Sequence, residues 1–331
     1  MLSTSVRQSA EEFQLKEAIA QRQAVDCESI IVYQEIGIFL TELFKSFHSP
    51  RCRVIAAAPV IADMAMAAER ADTELVECES NEPFAIDIDS LKSKIKSNGD
   101  IIHLANPNRL TGAALANSQL KILAASVNEG LLIIDEYYHD FSGLSALPLL
   151  KHQENVIILR SFENWLSAQQ PDFGYAMVSE QFLKKRGLVW PACGMGRATA
   201  RKCFEIFEAT DLSKKQVRLI LENALRAAKE LTRIGVNCQL APADFVLLQV
   251  SNAGEIQEYL GSCGIRVERI GQVGPLQNYL RYQITADDKV RQLVKAFSSM
   301  LTLPTKSQEQ HKRIKHDFVS KDKVVLKSNL R

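Results

Sequence analysis

A chain of 331 residues with 46% hydrophobic and 24% charged residues is composed like an ordinary water-soluble globular protein. Two domains are expected at that length, because single cores stop growing at roughly 250–300 residues. No apolar run approaches the roughly 20 residues of a membrane helix, and the N-terminal MLSTSVRQSAEEFQLKEA carries acids and no signal-peptide core, so membrane and secreted classes are excluded in favour of a cytoplasmic protein.

The net charge of +1 hides an asymmetry: Thr305 to Arg331 hold eight Lys/Arg against three Asp/Glu. Too few large apolar residues lie there to pack a core, and a single aromatic, Phe318, is not the interleaving with charges that base stacking would need, so a flexible solvated tail is expected rather than a nucleic-acid arm. The seven cysteines (27, 52, 78, 193, 203, 238, 263) are odd in number, scattered and without a CxxC pair. Neither zinc nor a disulfide framework is indicated, and they read as small buried apolar residues in a reducing compartment.

In chain order, an N-terminal helical segment is expected over residues 1–28. From about residue 30 to 180, β-rich runs then alternate with helical stretches. Val54 to Ala58 is an apolar run ending at Pro59, Ile61 to Ala71 has helical spacing, and Glu74 to Cys78 resumes a strand. Asp100 to Ala105 is a strand closed by the turn-rich NPNRLTG, Asn117 to Asn128 an amphipathic helix, and Leu131 to Ile134 a buried strand ending in Asp135. Val156 to Leu159 and Phe173 to Val178 follow. Near-continuous apolar strands joined by helices indicate a mostly parallel sheet covered on both faces, whose functional groups gather at the carboxyl ends of the strands. Leu212 to Ile234 is a long amphipathic helix. Beyond it lie strands at Phe245 to Val250, Gly264 to Val267 and Leu280 to Ile284, a helix at Glu255 to Ser262 and a last helix to about Met300, an α+β arrangement. The expected division is a large α/β domain over 29–210, a small domain over 211–303 and the basic tail over 304–331.

The ordered set NPNRLTG, LLIIDEYYHDF, VIILRSFENW followed by FGY, and YLRYQI resembles the pyridoxal-phosphate-dependent aminotransferases of fold type I, especially histidinol-phosphate aminotransferase and the related threonine-phosphate decarboxylase. The similarity runs from about Leu15 to Met300. It implies that Asp135, at a strand end, stands where the family's aspartate pairs with the cofactor's pyridine nitrogen, and Tyr138 where a tyrosine contacts the ring oxygen. Arg281 matches the arginine that holds the substrate carboxylate, a task suited to a planar bidentate fork. On the residues alone, Asp135 could equally cap a strand-to-helix turn and Arg281 could be a surface or domain-interface ion pair.

Against the same pattern, the chain lacks what the cofactor needs. The Schiff-base lysine position holds Asn164, and no lysine occurs between Lys151 and Lys184. The phosphate-cup positions hold Gln34 and Glu35, Glu163 and Asp172; a carboxylate about 5 Å from a phosphate charge costs roughly 3 kcal/mol at an effective dielectric near 20. Arg109 and Leu110 stand where the family has Asn-Pro, and the segment APVIADM offers no aromatic to stack on the ring. The family's substrate-binding arm has no counterpart before Leu15. The remaining NPNRLTG residues keep a turn, as fold maintenance requires.

The resemblance therefore implies an aminotransferase-like pseudoenzyme, with no catalytic residue and no cofactor expected, acting as a homodimer or as the partner of an active paralogue. The alternative is a divergent enzyme, using pyridoxal phosphate or its amine form, that acts on a small amino acid or its phosphate ester. His139 beside Tyr138 reads as structural or exposed, and His103 as a satisfied core histidine. No metal-ligand spacing, HExxH or nucleophile elbow is present.

Overall fold

The structure is a computed structural model that describes residues 9–47, 52–97, 99–162, 173–186, 195–272, 274–284 and 287–302. These residues form two sheets. The larger has seven strands: β1 (Ile30–Tyr33), β2 (Arg53–Ala57), β3 (Glu74–Cys78), β4 (Ile101–Ala105), β5 (Leu131–Asp135), β6 (Val156–Ser161) and β7 (Gly174–Val178). The smaller holds β8 (Asn237–Leu240), β9 (Phe245–Gln249), β10 (Glu268–Arg269) and β11 (Tyr279–Gln283). The helices in chain order are α1 (Ala10–Gln23), α2 (Ile36–Ser46), α3 (Ala62–Arg70), α4 (Ile88–Lys94), α5 (Asn117–Ser126), α6 (His139–Ser142), α7 (Glu180–Arg186), α8 (Arg197–Glu208), α9 (Thr210–Arg233), α10 (Ala253–Ser262) and α11 (Asp287–Thr302).

The large sheet runs β1-β7-β6-β5-β4-β2-β3. Its strands are parallel except β7, which lies antiparallel to both β6 and β1. Alternation along the central strands splits the core into two layers. Ile102, Leu132, Ile134, Val156 and Ile158 pack on the side of α1, α5 and α8, whereas Ile101, Leu131, Ile133, Ile157 and Leu159 pack on the side of α2 and α3. With both faces covered, β4 to β6 have to be apolar throughout, which is why they read as continuous runs.

The small sheet is antiparallel, in the order β10-β11-β9-β8, and shares a core with α9, α10 and α11. The expected strand at Gly264 to Val267 is not one. Gly264 turns the chain at φ +74°, and Ile265 and Val267 dock into the core through their side chains, leaving only Glu268 and Arg269 to pair with β11. A further cluster joins the two sheets: Tyr138 and Phe141, just after β5, pack on Val217 and Ile220 of α9 and Phe245 and Leu247 of β9. Cys52, Cys78 and Cys203 are buried as expected, but Cys263 is exposed. Burial pushes the Cys52 thiol up to about 11 and the Cys238 thiol up to about 12, so neither is a reactive thiolate. The basic tail, Cys193, and Glu163, Asn164 and Asp172 lie outside the described residues.

Candidate functional site

The parallel pairing of β4 with β5 sets His103 opposite Ile133 and Ala105 opposite Asp135, which places His103 and Asp135 on one face at the carboxyl end of the sheet. The NPNRLTG turn caps that end. Asn106 accepts from the Leu115 amide at 2.7 Å and donates to the Leu115 carbonyl at 3.1 Å. The Asn108 carboxamide oxygen accepts from the amides of Leu110 and Thr111, and its nitrogen reaches the Pro59 carbonyl. Gly112 closes the turn at φ +75°, where a Cβ would stand 2.8 Å from that of Ala241. The two asparagine side chains of this motif are thus occupied with backbone groups, which satisfies buried polar atoms in a loop.

The turn also delivers Arg109. Its Nε donates to Oδ2 of Asp135 at 2.8 Å, and its guanidinium carbon lies 4.0 Å from the Tyr137 ring centroid. The other oxygen, Oδ1 of Asp135, accepts from the Tyr137 amide at 3.1 Å, and the Asp135 side chain is 1% exposed. A flat cation, stacked on an aromatic ring, is therefore bonded to the buried strand-end aspartate. His103 is buried beside them; burial drives its imidazole down to about 4 despite the nearby Asp135 carboxylate. Its Nε2 has no hydrogen-bond partner, so it is not the satisfied core histidine expected from the strand pattern.

Tyr138 turns toward the small sheet. Its hydroxyl donates to Oδ1 of Asp244 at 2.8 Å and accepts from Nη2 of Arg281 at 3.1 Å. Asp244, 3% exposed, also accepts from Gln283 Nε2 at 2.7 Å. Burial and the neighbouring Asp244 carboxylate hold the Tyr138 hydroxyl well above the usual phenol range. Arg281 further donates to Glu268 at 3.1 Å and lies over the Phe245 ring, its guanidinium carbon 4.5 Å from the centroid. Burial alone would lower its affinity for the proton, but Tyr138 and Asp244 outweigh this and raise it. The structure thus brings Tyr138 and Arg281 together, while Asp135 stands in a separate ion pair. Sequence reasoning missed Asp244; a lone acid immediately before an apolar strand was its only signal.

A third network lies behind Asp135, on the opposite sheet face. Arg160 donates from Nε to Glu136 at 2.9 Å, from Nη1 to Gln23 at 2.8 Å and from Nη2 to Ser145 at 2.8 Å. Glu136 in turn accepts from the Ala146 amide. His139 donates from Nδ1 to the Leu144 carbonyl at 2.8 Å, the structural role expected of it. Gln34 and Glu35 are exposed at the start of α2.

As arranged, these residues do not fit a pyridoxal ring. The carboxylate that would face the ring nitrogen is met from within the chain by Arg109, and the hydroxyl that would meet the ring oxygen is held by Asp244 and Arg281.

Comparison with known proteins places this geometry. Residues 13–297 match the family aminotransferase class I and II. The chain is 29% identical over 231 residues to histidinol-phosphate aminotransferase 1 of Carboxydothermus hydrogenoformans. That match covers 69% of this chain but 65% of the relative, less than two thirds of its length. Among solved structures, histidinol-phosphate aminotransferase of Sinorhizobium meliloti in complex with pyridoxal-5′-phosphate superposes with a TM-score of 0.77 at 18% identity, over 89% of this chain and 84% of that one. L-threonine-O-3-phosphate decarboxylase of Porphyromonas gingivalis gives a TM-score of 0.70 at 20% identity, over 88% and 89%. At these identities the structures establish a shared fold alone. No helix among the described residues is long and apolar enough to cross a membrane.

Proposed function

The chain belongs to the aminotransferase class I and II family, and on that premise we propose that it is a member whose cofactor-dependent catalysis has lapsed and whose fold serves as a binding or partner subunit. The observation that carries this reading is the Arg109–Asp135 pair. A buried carboxylate already matched to a guanidinium at 2.8 Å gains little from a pyridinium and would have to give up its cation first. Asn164 at the lysine position and acids at the phosphate-cup positions support the same reading from sequence.

The test is half-transamination of added pyridoxal phosphate with a panel of amino acids and their phosphate esters, alongside copurification from the native source. No conversion, together with recovery of a dimer or of a second aminotransferase-like chain, is the expected result. Conversion that disappears in Asp135→Ala would overturn it.

One observation favours a second reading, that of a divergent aminotransferase or decarboxylase. Asp135, Tyr138 and Arg281 are all retained, and the last two are already 3.1 Å apart. The names of the relatives point to amino transfer and to phosphorylated amino alcohols or amino acids as the substrate class. This reading requires Arg109 to leave Asp135 when the cofactor binds.

A further inference from the structure

A cavity of about 280 Å³ opens at the carboxyl ends of β5 and β6, beside the point where antiparallel β7 reverses the strand direction. Ligands of open α/β sheets gather in crevices outside these strand ends. It lies on the α1 and α8 face of the sheet, where Phe162, Tyr175 and Phe207 pack, and not on the face that carries Asp135. Pockets for drug-sized ligands run from about 300 to 1,000 Å³, so this one suits a small metabolite and excludes a nucleotide.

Its walls differ in chemistry. One is a cluster of rings: Phe162 and Tyr175 have centroids 5.2 Å apart, and Phe207 stands edge-on to both at 6.2 Å. The floor is the Glu136–Arg160 pair, whose charges are spent on each other, Gln23, Ser145 and the Ala146 amide. Arg22, at the rim, is likewise committed to Glu208 and the Phe207 carbonyl. Three lining groups remain uncommitted. Lys214, in the second turn of α9, and Asp140, on α6, are solvent-exposed at its mouth and have no ion-pair partner among the described residues. His139 gives its Nδ1 proton to the Leu144 carbonyl, which leaves Nε2 as an acceptor.

An unpaired cation and an unpaired carboxylate at the mouth of one small cavity, with the adjacent His139 imidazole and a flat apolar wall inside it, are the complement of a zwitterion carrying an apolar side chain. We propose that this cavity binds a free apolar or aromatic α-amino acid, with its carboxylate at Lys214, its ammonium at Asp140 and His139 Nε2, and its side chain against Phe162 and Phe207. The site is separate from the ancestral one, so it stands whether or not cofactor chemistry survives, and it gives the proposed binding role a ligand.

Calorimetric titration of the full chain with L-phenylalanine and L-leucine tests this. Phenylacetate and phenethylamine, each with one of the two charges, serve as controls. Saturable binding of an amino acid is expected, with each single-charge probe about tenfold or more weaker, as for loss of one charged hydrogen bond. Lys214→Gln and Asp140→Asn are expected to weaken binding about tenfold each with unchanged melting temperature. Absence of saturable binding for both amino acids overturns the proposal, as does binding that survives both cavity variants.

Discussion

Replacing Arg109 with methionine keeps much of the side-chain volume and removes the charge together with the Nε donor to Asp135. Asp135 is 1% exposed and Arg109 11%, so the variant strands a carboxylate where water cannot reach it. Breaking a buried pair from one side costs about 3–5 kcal/mol. Coulomb's law gives the same scale: charge centres about 4 Å apart at an effective dielectric near 20 attract by roughly 4 kcal/mol. Loss of the cation stacked on Tyr137 adds about 0.5–2 kcal/mol. For a chain of this size the urea dependence is about 3 kcal/mol per molar, so the unfolding midpoint should fall by about 1–2 M. The double variant Arg109→Met with Asp135→Asn removes the stranded charge and should recover at least half of the loss. The reasoning is refuted if the single variant shifts the midpoint by less than about 0.3 M, under about 1 kcal/mol, or if the double variant is no more stable than the single one.

Other perturbations probe the same region. His103 is held down to about 4 in the folded chain against about 6.5 when unfolded; between those values the unfolded state binds the extra proton, so stability rises with pH. Acidification from pH 6.5 to 4 should therefore cost about 3 kcal/mol through this residue, and urea titrations across that range should show the slope flattened in His103→Leu. Tyr138→Phe removes the hydroxyl shared by Asp244 and Arg281. It should cost about 1–3 kcal/mol and speed hydrogen exchange in β9, and unchanged exchange there would deny the link between the sheets. Gly112→Ala forces a side chain to φ +75° against Ala241 and should lose about 1–3 kcal/mol by the same urea assay.

The large sheet was legible because its central strands are covered on both faces and must be apolar along their whole length, as Leu131 to Ile134 and Val156 to Leu159 are. The short edge elements were harder. β8 is half-exposed and only four residues long, so the alternation of Asn237 to Leu240 is too short to read as a strand, and Ile265 and Val267 gave a strand pattern for side chains that dock without pairing. At the site, the resemblance located Asp135, Tyr138 and Arg281, but it named partners outside the chain. That each finds a partner inside it, in Arg109 or Asp244, depends on contacts 26 to 106 residues apart, which no local pattern encodes. Arg109 was visible as a departure from the Asn-Pro of the family turn, but its 2.8 Å bond to Asp135 appears only in the structure.

The most direct test of lapsed catalysis is an absorbance spectrum of the purified chain, followed by titration with pyridoxal phosphate and then hydroxylamine. The account predicts the spectrum of free cofactor with no saturable change in the wild-type chain. A saturable visible band that hydroxylamine removes would mean that a lysine reaches the site and that Arg109 yields Asp135 to the cofactor, contradicting the account.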